Sequence, residues 1–337
     1  MSSESARMTP DQLVAANTPT GTRGLFALDK VGEAVLWFDG GTFEQLHRLP
    51  LTHPHQMSIS PDHRLAVVSE FGLFREGRNV EPGHHLNLVA LEERRSIARI
   101  DLGTNAGPHG SRWDASGHLW VVCEETGTLL RVDIDARQVA SCLQVATPAE
   151  RAHLIEITPD ARTIFVACKK GPIKVVDVAS EAVSGSIAVG SGTEGIACLL
   201  GGARIVAAAN AEQDLVVIDA GRRAVVDRVP LLGAVMSSPK RSRLITLQAS
   251  PDGAFLLSSN GVGGAVHIHA AGDLRQQQLV LVAKGPQGMA VTADGQRFVV
   301  ANHDAGVATV VGLTGPDAGR PLRWFEAGKG VEAVAFY

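Results

Sequence analysis

Three histidines stand at the same offset from a turn, in three successive segments of the chain. Each comes six residues before the turn that ends its strand, as His55 does before Pro61. The other two are His109 and His153. Neutral imidazole is a ligand for Zn, Fe, Mn, Ni and Cu, and three histidines with a carboxylate form a familiar open metal site. The spacing therefore predicts a divalent metal ion held by these three side chains.

Acidic and amide side chains occupy the same offset in later segments. Glu194 and Gln287 stand there, and Glu332 holds the matching place in the last segment. Because the offset recurs, these residues should form a ring with the histidines, in which a glutamate assists the metal and Gln287 contacts a substrate. Glu70 and Glu124 follow second strands and would orient the metal-bound histidines or act as a general base. We therefore treat four residues as candidate catalytic groups: Glu70, Glu124, Glu194 and Glu332.

Loop residues provide candidates for substrate binding. Arg241 and Arg243 end an unusually long loop, 231–243, and suit a carboxylate or phosphate group. Asn302 and His303 follow another second strand. A second long insertion, 71–85, is expected on the same face, where both loops could cover a ligand. The open alternatives are histidines that line a water-filled channel and loops that are basic, solvated surface.

The unit that positions these residues is clearest at 153–188, which reads as four short strands joined by turns. The strands are rich in β-branched residues, and Gly, Pro and Asp mark the turns. The unit recurs at 109–144, 194–229 and 287–312, and with longer loops at 55–101 and 243–282. A repeat of roughly 41 to 54 residues with four strands is typical of a propeller blade.

The two ends of the chain supply a seventh unit. Residues 24–28, 33–39 and 43–49 read as the second to fourth strands of a blade, and 330–337 as a lone first strand. Joining them closes a ring without a free sheet edge. The sequence thus predicts an all-β protein, a seven-bladed β-propeller over residues 23–337 with an N-terminal arm at 1–22.

Composition and charge exclude several classes of function. The net charge of −4 gives no basic surface for nucleic acid or anionic lipid, so a small-molecule substrate is the expected partner. The sequence shows neither a signal peptide nor a membrane-spanning segment, which favours the cytoplasm. Four scattered cysteines do not form a disulfide framework.

The ends of the second strands and the turns resemble the YVTN-type repeat. Val300-Ala301-Asn302 and Ala208-Ala209-Asn210 carry the resemblance, as do the turns Ser60-Pro61-Asp62 and Ser250-Pro251-Asp252-Gly253. From about residue 24 the chain is similar to the YncE-like and lactonase-like seven-bladed propellers. The resemblance implies hydrolytic opening of a lactone as the first choice of reaction.

Three functions remain open from the sequence. The first is a metal-dependent enzyme acting on an anionic carbonyl substrate, as a lactonase-like hydrolase or as an isomerase or lyase. The second is a non-catalytic YncE-like propeller that binds a ligand or protein. The third is an iron oxygenase with four histidine ligands, the fourth being His303, His84 or His85.

Overall fold

The structure is a computed structural model that describes residues 23–75, 78–209, 212, 214–231, 244–261, 263–274 and 276–337. In these residues, seven antiparallel sheets of four strands each surround one axis. Neighbouring innermost strands contact each other around the whole circle, β28 against β4 included. The predicted seven-bladed propeller is therefore confirmed.

The strands of each blade run in order from the axis outward. Blade 1 consists of β28 (Val331–Phe336), β1 (Gly24–Asp29), β2 (Ala34–Asp39) and β3 (Gln45–Pro50). Blade 2 consists of β4 (Pro54–Ile59), β5 (Leu65–Arg75), β6 (Arg78–Ala90) and β7 (Arg95–Asp101). Blade 3 consists of β8 (Pro108–Trp113), β9 (Leu119–Cys123), β10 (Thr128–Asp133) and β11 (Gln138–Gln144). Blade 4 consists of β12 (Ala152–Ile157), β13 (Thr163–Cys168), β14 (Ile173–Asp177) and β15 (Ala182–Ile187).

The other three blades follow the same order. Blade 5 consists of β16 (Thr193–Leu199), β17 (Arg204–Ala209), β18 (Asp214–Asp219) and β19 (Ala224–Pro230). Blade 6 consists of β20 (Leu244–Ala249), β21 (Phe255–Asn260), β22 (Ala265–Ala270) and β23 (Gln276–Leu281). Blade 7 consists of β24 (Pro286–Val291), β25 (Arg297–Asn302), β26 (Val307–Gly312) and β27 (Pro321–Glu326). The helical elements among the described residues are four 3₁₀ turns: Pro148–Glu150, Leu200–Gly202, His303–Ala305 and Gly315–Asp317. No described helix is long and apolar enough to cross a bilayer.

The hydrophobic core lies between blades rather than within one sheet. Seven clusters of buried side chains fill the seven inter-blade spaces. Between blades 1 and 2, the Trp37 ring is fully buried and its Nε1–H donates to the Leu91 carbonyl oxygen at 3.0 Å. Because each sheet presents one face to each neighbour, both faces of the inner strands are apolar, which explains their continuous Val, Ala and Leu runs.

The turns between first and second strands share one hydrogen-bonding pattern in four blades. In blade 2, the Ser60 hydroxyl donates to Asp62, and Asp62 accepts the backbone N–H of Arg64. The same arrangement recurs at Thr158-Pro-Asp160, Ser250-Pro-Asp252 and Thr292-Ala-Asp294. These side chains satisfy backbone donors that a tight turn leaves exposed, which is why the motif marks the repeat.

One buried carboxylate in blade 1 supports ring closure beside the pairing of β28 with β1. β28 pairs with β1 in antiparallel register, as predicted. Asp29, at the end of β1, accepts backbone N–H groups from Gly32, Lys329 and Gly330, each at 2.9 Å. A single side chain thus fixes the segment that leads into β28.

We expect Asp29→Ala to lower the free energy of unfolding by about 3 kcal/mol, because it leaves three backbone donors without their acceptor. Urea denaturation with a matched Asp39→Ala variant tests this. The Asp39 carboxylate caps the turn after β2 through Gly41 and Thr42 and does not bridge the two ends of the ring. Equal losses in the two variants would show that Asp29 has no special part in closure.

Two predictions about loops have different outcomes. Segment 71–85 is not a loop: β5 and β6 continue through it as a long hairpin, with Gly72 paired to Pro82. A period-two pattern is weak in this glycine-containing stretch, which explains why the strands were not evident from the sequence. Most of the other insertion, 232–243, lies outside the described residues, as does the predicted arm at 1–22.

Candidate functional site

All seven innermost strands carry a one-residue register shift near their start. In blade 2 the shift lies between Pro54 and Met57, and in blade 3 between Pro108 and Ser111. Each bulge contains the residue at the recurrent offset. We name this set of residues the inner ring: Glu332, His55, His109, His153, Glu194, Ile245 and Gln287. A bulge leaves a residue unpaired and redirects its side chain. The repeat offset identified in the sequence is therefore a repeated bulge at the axis.

Glycine allows the bulged strands to approach one another. A Cβ on Gly110 would lie 2.8 Å from the His153 carbonyl oxygen and 2.8 Å from Leu154 Cα. These atoms belong to the next innermost strand, so a side chain at this position would push blades 3 and 4 apart. The close approach brings His109 and His153 together.

The inner ring encloses a cavity of about 160 Å³ on the axis. Six of its side chains line this cavity: His55, His109, His153, Glu194, Gln287 and Glu332. All of them except Gln287 are buried. The structure thus brings together the three predicted metal ligands, two of the predicted catalytic glutamates and one predicted substrate-binding residue.

The three histidine rings form a continuous row. The ring centroids of His55 and His109 are 4.5 Å apart, and those of His109 and His153 are 3.9 Å apart. Phe71 stacks on His55 at a centroid distance of 4.4 Å and contacts His109 edge-on. The apolar ring shields this end of the row from water.

Carboxylates flank the row at both ends. His55 Nε2 lies 3.8 Å from Glu332 Oε1, and His153 Nε2 lies 4.0 Å from Glu194 Oε2. Glu332 also contacts Lys30 Nζ at 3.4 Å and His303 Nε2 at 3.5 Å. The ring therefore places basic and acidic groups side by side around a small enclosed volume.

Glu124 lies behind the row and fixes His153. Its carboxylate is fully buried, and Oε2 lies 2.9 Å from His153 Nδ1. Because a carboxylate only accepts, Nδ1 carries the hydrogen and the lone pair of Nε2 remains available toward the cavity. Arg151 and Lys169 contact the same carboxylate at 2.7 and 3.1 Å. Two cations thus balance the buried charge of Glu124.

The pKa values of the site follow from burial and from these charges. Burial, with the nearby Lys30, holds the pKa of His55 well below its ordinary value, and burial beside His153 does the same for His109. The pKa of His153 is lowered by burial and by Lys169. Burial alone would raise the pKa of Glu124, but the hydrogen bond from His153 and the charge of Lys169 outweigh it, so its pKa is lowered. The site therefore presents neutral imidazoles beside an ionised carboxylate.

Part of this cluster has the geometry to hold a divalent metal ion. No described residue forms a hydrogen bond with either buried ring nitrogen of His109, and the same holds for His55 Nδ1. Buried polar atoms without partners are costly, and metal coordination is one way to satisfy them. Among the described residues, His109, Glu124 and His153 each offer a ligand atom within 4.8 Å of the others, whereas His55, the third predicted ligand, is not part of this group. Glu124 is already paired with two cations, so it suits the orientation of His153 better than direct coordination.

A second set of positions lies directly behind the inner ring. Each of these residues donates its backbone N–H to the carbonyl two residues before an inner-ring position, as Glu124 does to Gly107. We name this set the second ring: Lys30, Phe71, Glu124, Lys169 and His303. Lys30, Phe71 and Lys169 line the cavity, while Glu124 and His303 contact inner-ring side chains. Lys30 and Phe71 are not among the site residues predicted from the sequence, although each holds the same blade position as Glu124.

The remaining predicted residues lie elsewhere. Glu70 falls one residue before the second-ring position, and its carboxylate forms a two-point contact with Arg99 at 2.7 and 3.0 Å. Asn302 also falls one residue early, and its amide donates to Val300, Val307 and Thr309 within blade 7. Neither residue lines the cavity. Arg241 and Arg243 lie outside the described residues.

Comparison with known proteins rests on structure. No protein-family model and no curated protein sequence matches the chain. A functionally unknown protein from Desulfotomaculum acetoxidans superposes with a TM-score of 0.76 at 12% identity, over 94% of this chain and 99% of its own. The periplasmic gluconolactonase PpgL of Pseudomonas aeruginosa superposes with a TM-score of 0.76 at 18% identity, over 93% of this chain and 98% of its own. The chain has the fold of these propellers.

A third solved structure extends the comparison. Hydrazine synthase from Kuenenia stuttgartiensis superposes with a TM-score of 0.69 at 18% identity, over 84% of this chain and 89% of that one. Proteins with different activities thus share the architecture, and the fold does not select among them. The resemblance to lactonase-like propellers is confirmed at the level of fold, and function must be argued from the site.

Proposed function

We propose that the protein is a metal-dependent hydrolase that opens the lactone ring of an anionic small molecule at the propeller axis. The observation that carries this proposal is His109, buried between two other histidines with both ring nitrogens lacking a hydrogen bond. The shared fold of a gluconolactonase supports the choice of reaction.

Each residue has a separate part in this proposal. His55, His109 and His153 would hold the ion, which supplies polarisation of the substrate carbonyl and a lowered pKa for bound water. Glu124 keeps His153 in one tautomer through its Nδ1 hydrogen bond. Glu194 Oε2, on the cavity side of His153, is the group we assign to accept a proton from the attacking water.

Charge at the cavity supports an anionic substrate. Lys30 and Lys169 both line it, and Gln287 adds a neutral hydrogen-bonding group. Lys30 forms an ion pair with Glu332, and Lys169 forms one with Glu124. A bound anion would therefore contact a lysine that also contacts a glutamate. Arg241 and Arg243 remain proposed contacts for the same anionic group.

Metal removal tests the proposal. We expect about one ion per chain by plasma mass spectrometry, and hydrolysis of a panel of lactones that falls below about 1% on chelation and returns with the metal. The same chain, treated with chelator already saturated with the metal, is the control. A chain that hydrolyses lactones fully without metal, or that binds no metal even after reconstitution, would contradict the proposal. In the second case the YncE-like binding function becomes the better interpretation.

The oxygenase alternative is less well matched. His84 Nδ1 lies 3.1 Å from the Asn105 carbonyl oxygen, and His303 contacts Glu332. The described cavity lining contains three histidines, and a glutamate occupies the next inner-ring position. An isomerase or lyase would use the same groups, and the lactone panel distinguishes it by the absence of a hydrolysis product.

Localisation stays a proposal. We infer the cytoplasm from the sequence, whereas the gluconolactonase with the same fold is periplasmic. Fractionation of cells that produce the untagged protein separates the two compartments.

A further inference from the structure

A second concavity lies on the face of the propeller opposite the beginnings of the innermost strands. It has a volume of about 600 Å³ and lies where blades 1 and 2 meet. The turn 61–64, the turn 91–94 and the junction of Arg23 with Tyr337 form its walls. We call it the closure cleft. It shares no lining residue with the axial cavity.

Four arginines line the closure cleft: Arg23, Arg64, Arg94 and Arg95. None of their guanidinium groups forms an ion pair or a hydrogen bond with a described residue. Elsewhere in the described chain arginines are commonly paired, as Arg99 is with Glu70 and Arg112 with Glu156. Arg23, Arg64 and Arg95 are exposed and Arg94 is half-buried, so four guanidinium groups surround one concavity that is open to solvent.

The acidic side chains of the cleft form no ion pair with these arginines, although the Ser60 hydrogen bond and, after it, the charge of Arg64 help to lower the pKa of Asp62. Asp62 uses Oδ1 to accept from the Ser60 hydroxyl and from the Arg64 backbone. Glu92 and Glu93 are exposed, and neither pairs with a described arginine. The lining thus contains four arginines and three acidic side chains, and one of those three is held by the turn.

We propose that the closure cleft binds a small phosphate-bearing anion. Guanidinium groups offer paired donors that match phosphate oxygens, and several of them around one site favour a multiply charged group over a single carboxylate. The volume lies in the range of sites for small molecules. The cleft joins the first and last strands of the ring, so a bound anion would also bridge the two ends of the propeller.

Isothermal titration with inorganic pyrophosphate at low ionic strength tests this on the protein as purified. We expect one site per chain, and binding about tenfold weaker or worse in an Arg64→Gln/Arg94→Gln variant. The matched control is Arg162→Gln/Arg137→Gln. These residues hold the same two turn positions in blades 4 and 3, with φ of 55° at Arg137 and 54° at Arg94, outside the cleft. The control should bind as the wild type does.

Further outcomes decide the location of binding. His109→Ala should bind pyrophosphate unchanged, because the axial cavity is separate. Loss of binding in that variant, equal weakening in the control, or no binding by the wild type would each overturn the proposal. If circular dichroism shows that the double variant does not fold, Arg23→Gln replaces it with a smaller expected weakening. Wild-type affinity in that folded variant would then count against the cleft.

Discussion

His109→Ala is expected to lose stoichiometric metal and to lower lactone hydrolysis below about 1% of wild type, while the propeller stays folded. His109 is the central ring of the histidine row, and both of its nitrogens lack a hydrogen bond. Truncation therefore removes a ligand without breaking any hydrogen bond that the fold uses. We expect metal affinity to fall by more than about 100-fold, since even indirect partners of a metal ligand contribute 10- to 100-fold.

Metal content and affinity of the purified variant provide the measurement, beside Gln287→Ala as the matched control. Gln287 lies in the same bulge of blade 7 and lines the same cavity, yet it is not a predicted ligand. Gln287→Ala should keep about one ion per chain. A His109→Ala protein with full metal content would show that the ion, if present, is held elsewhere.

Glu124→Ala is expected to destabilise the metal-free protein by about 3 kcal/mol, because it leaves Lys169 without its carboxylate partner and Arg151 with Glu125 alone. The carboxylate is fully buried, and both cations are less than a quarter exposed. Urea denaturation measures the loss. Glu70→Ala is the matched comparison: its partner Arg99 is 52% exposed, so water can replace the lost carboxylate and the cost should be clearly smaller.

Glu124→Gln separates orientation from stability. Glutamine keeps the shape and one acceptor oxygen but removes the charge, so His153 loses a charge-assisted hydrogen bond. We expect metal affinity to fall by about 10- to 100-fold while the variant remains folded. Unchanged affinity in Glu124→Gln would mean that Glu124 serves only to balance Arg151 and Lys169.

The propeller architecture could be predicted because the same turn motif recurs in the sequence from blade to blade. Ser60-Pro61-Asp62 and its counterparts satisfy the same backbone donors in each turn, so the motif marks the boundary of successive strands. The incomplete units at the two ends could only be completed by each other. The offset of His55, His109 and His153 likewise repeated, and it located the inner ring.

The second ring was harder to predict because strands have a period of two. A shift of one residue moves a side chain to the other face, and the sequence does not show where the register begins. The sequence therefore predicts Glu70 at the position of Glu124, whereas in the structure Phe71 holds that position and stacks on His55. Cys123-Glu124 and Cys168-Lys169 did contain the signal, since each cysteine ends an equivalent strand and the next residues form an ion pair across blades.

Contacts from outside the repeat could not be predicted at all. Arg151 enters the site from a short 3₁₀ turn between blades, and its φ of 57° places it in the left-handed region. No spacing rule relates such a residue to Glu124, which stands 27 positions earlier. The bulges are also not evident from the sequence, because one extra residue in a strand leaves no mark in the types of residue that the strand contains.

The position of Glu332 has a consequence for how the protein is made. This inner-ring residue lies in β28, which follows every other strand of the propeller in chain order and completes blade 1. During synthesis the earlier blades can fold as they leave the ribosome, but β1 keeps an open edge until β28 arrives. Pairing across the longest separation in the chain is a slow kind of folding step. The last step of assembly is thus also the one that places Glu332 beside His55 and completes the inner ring.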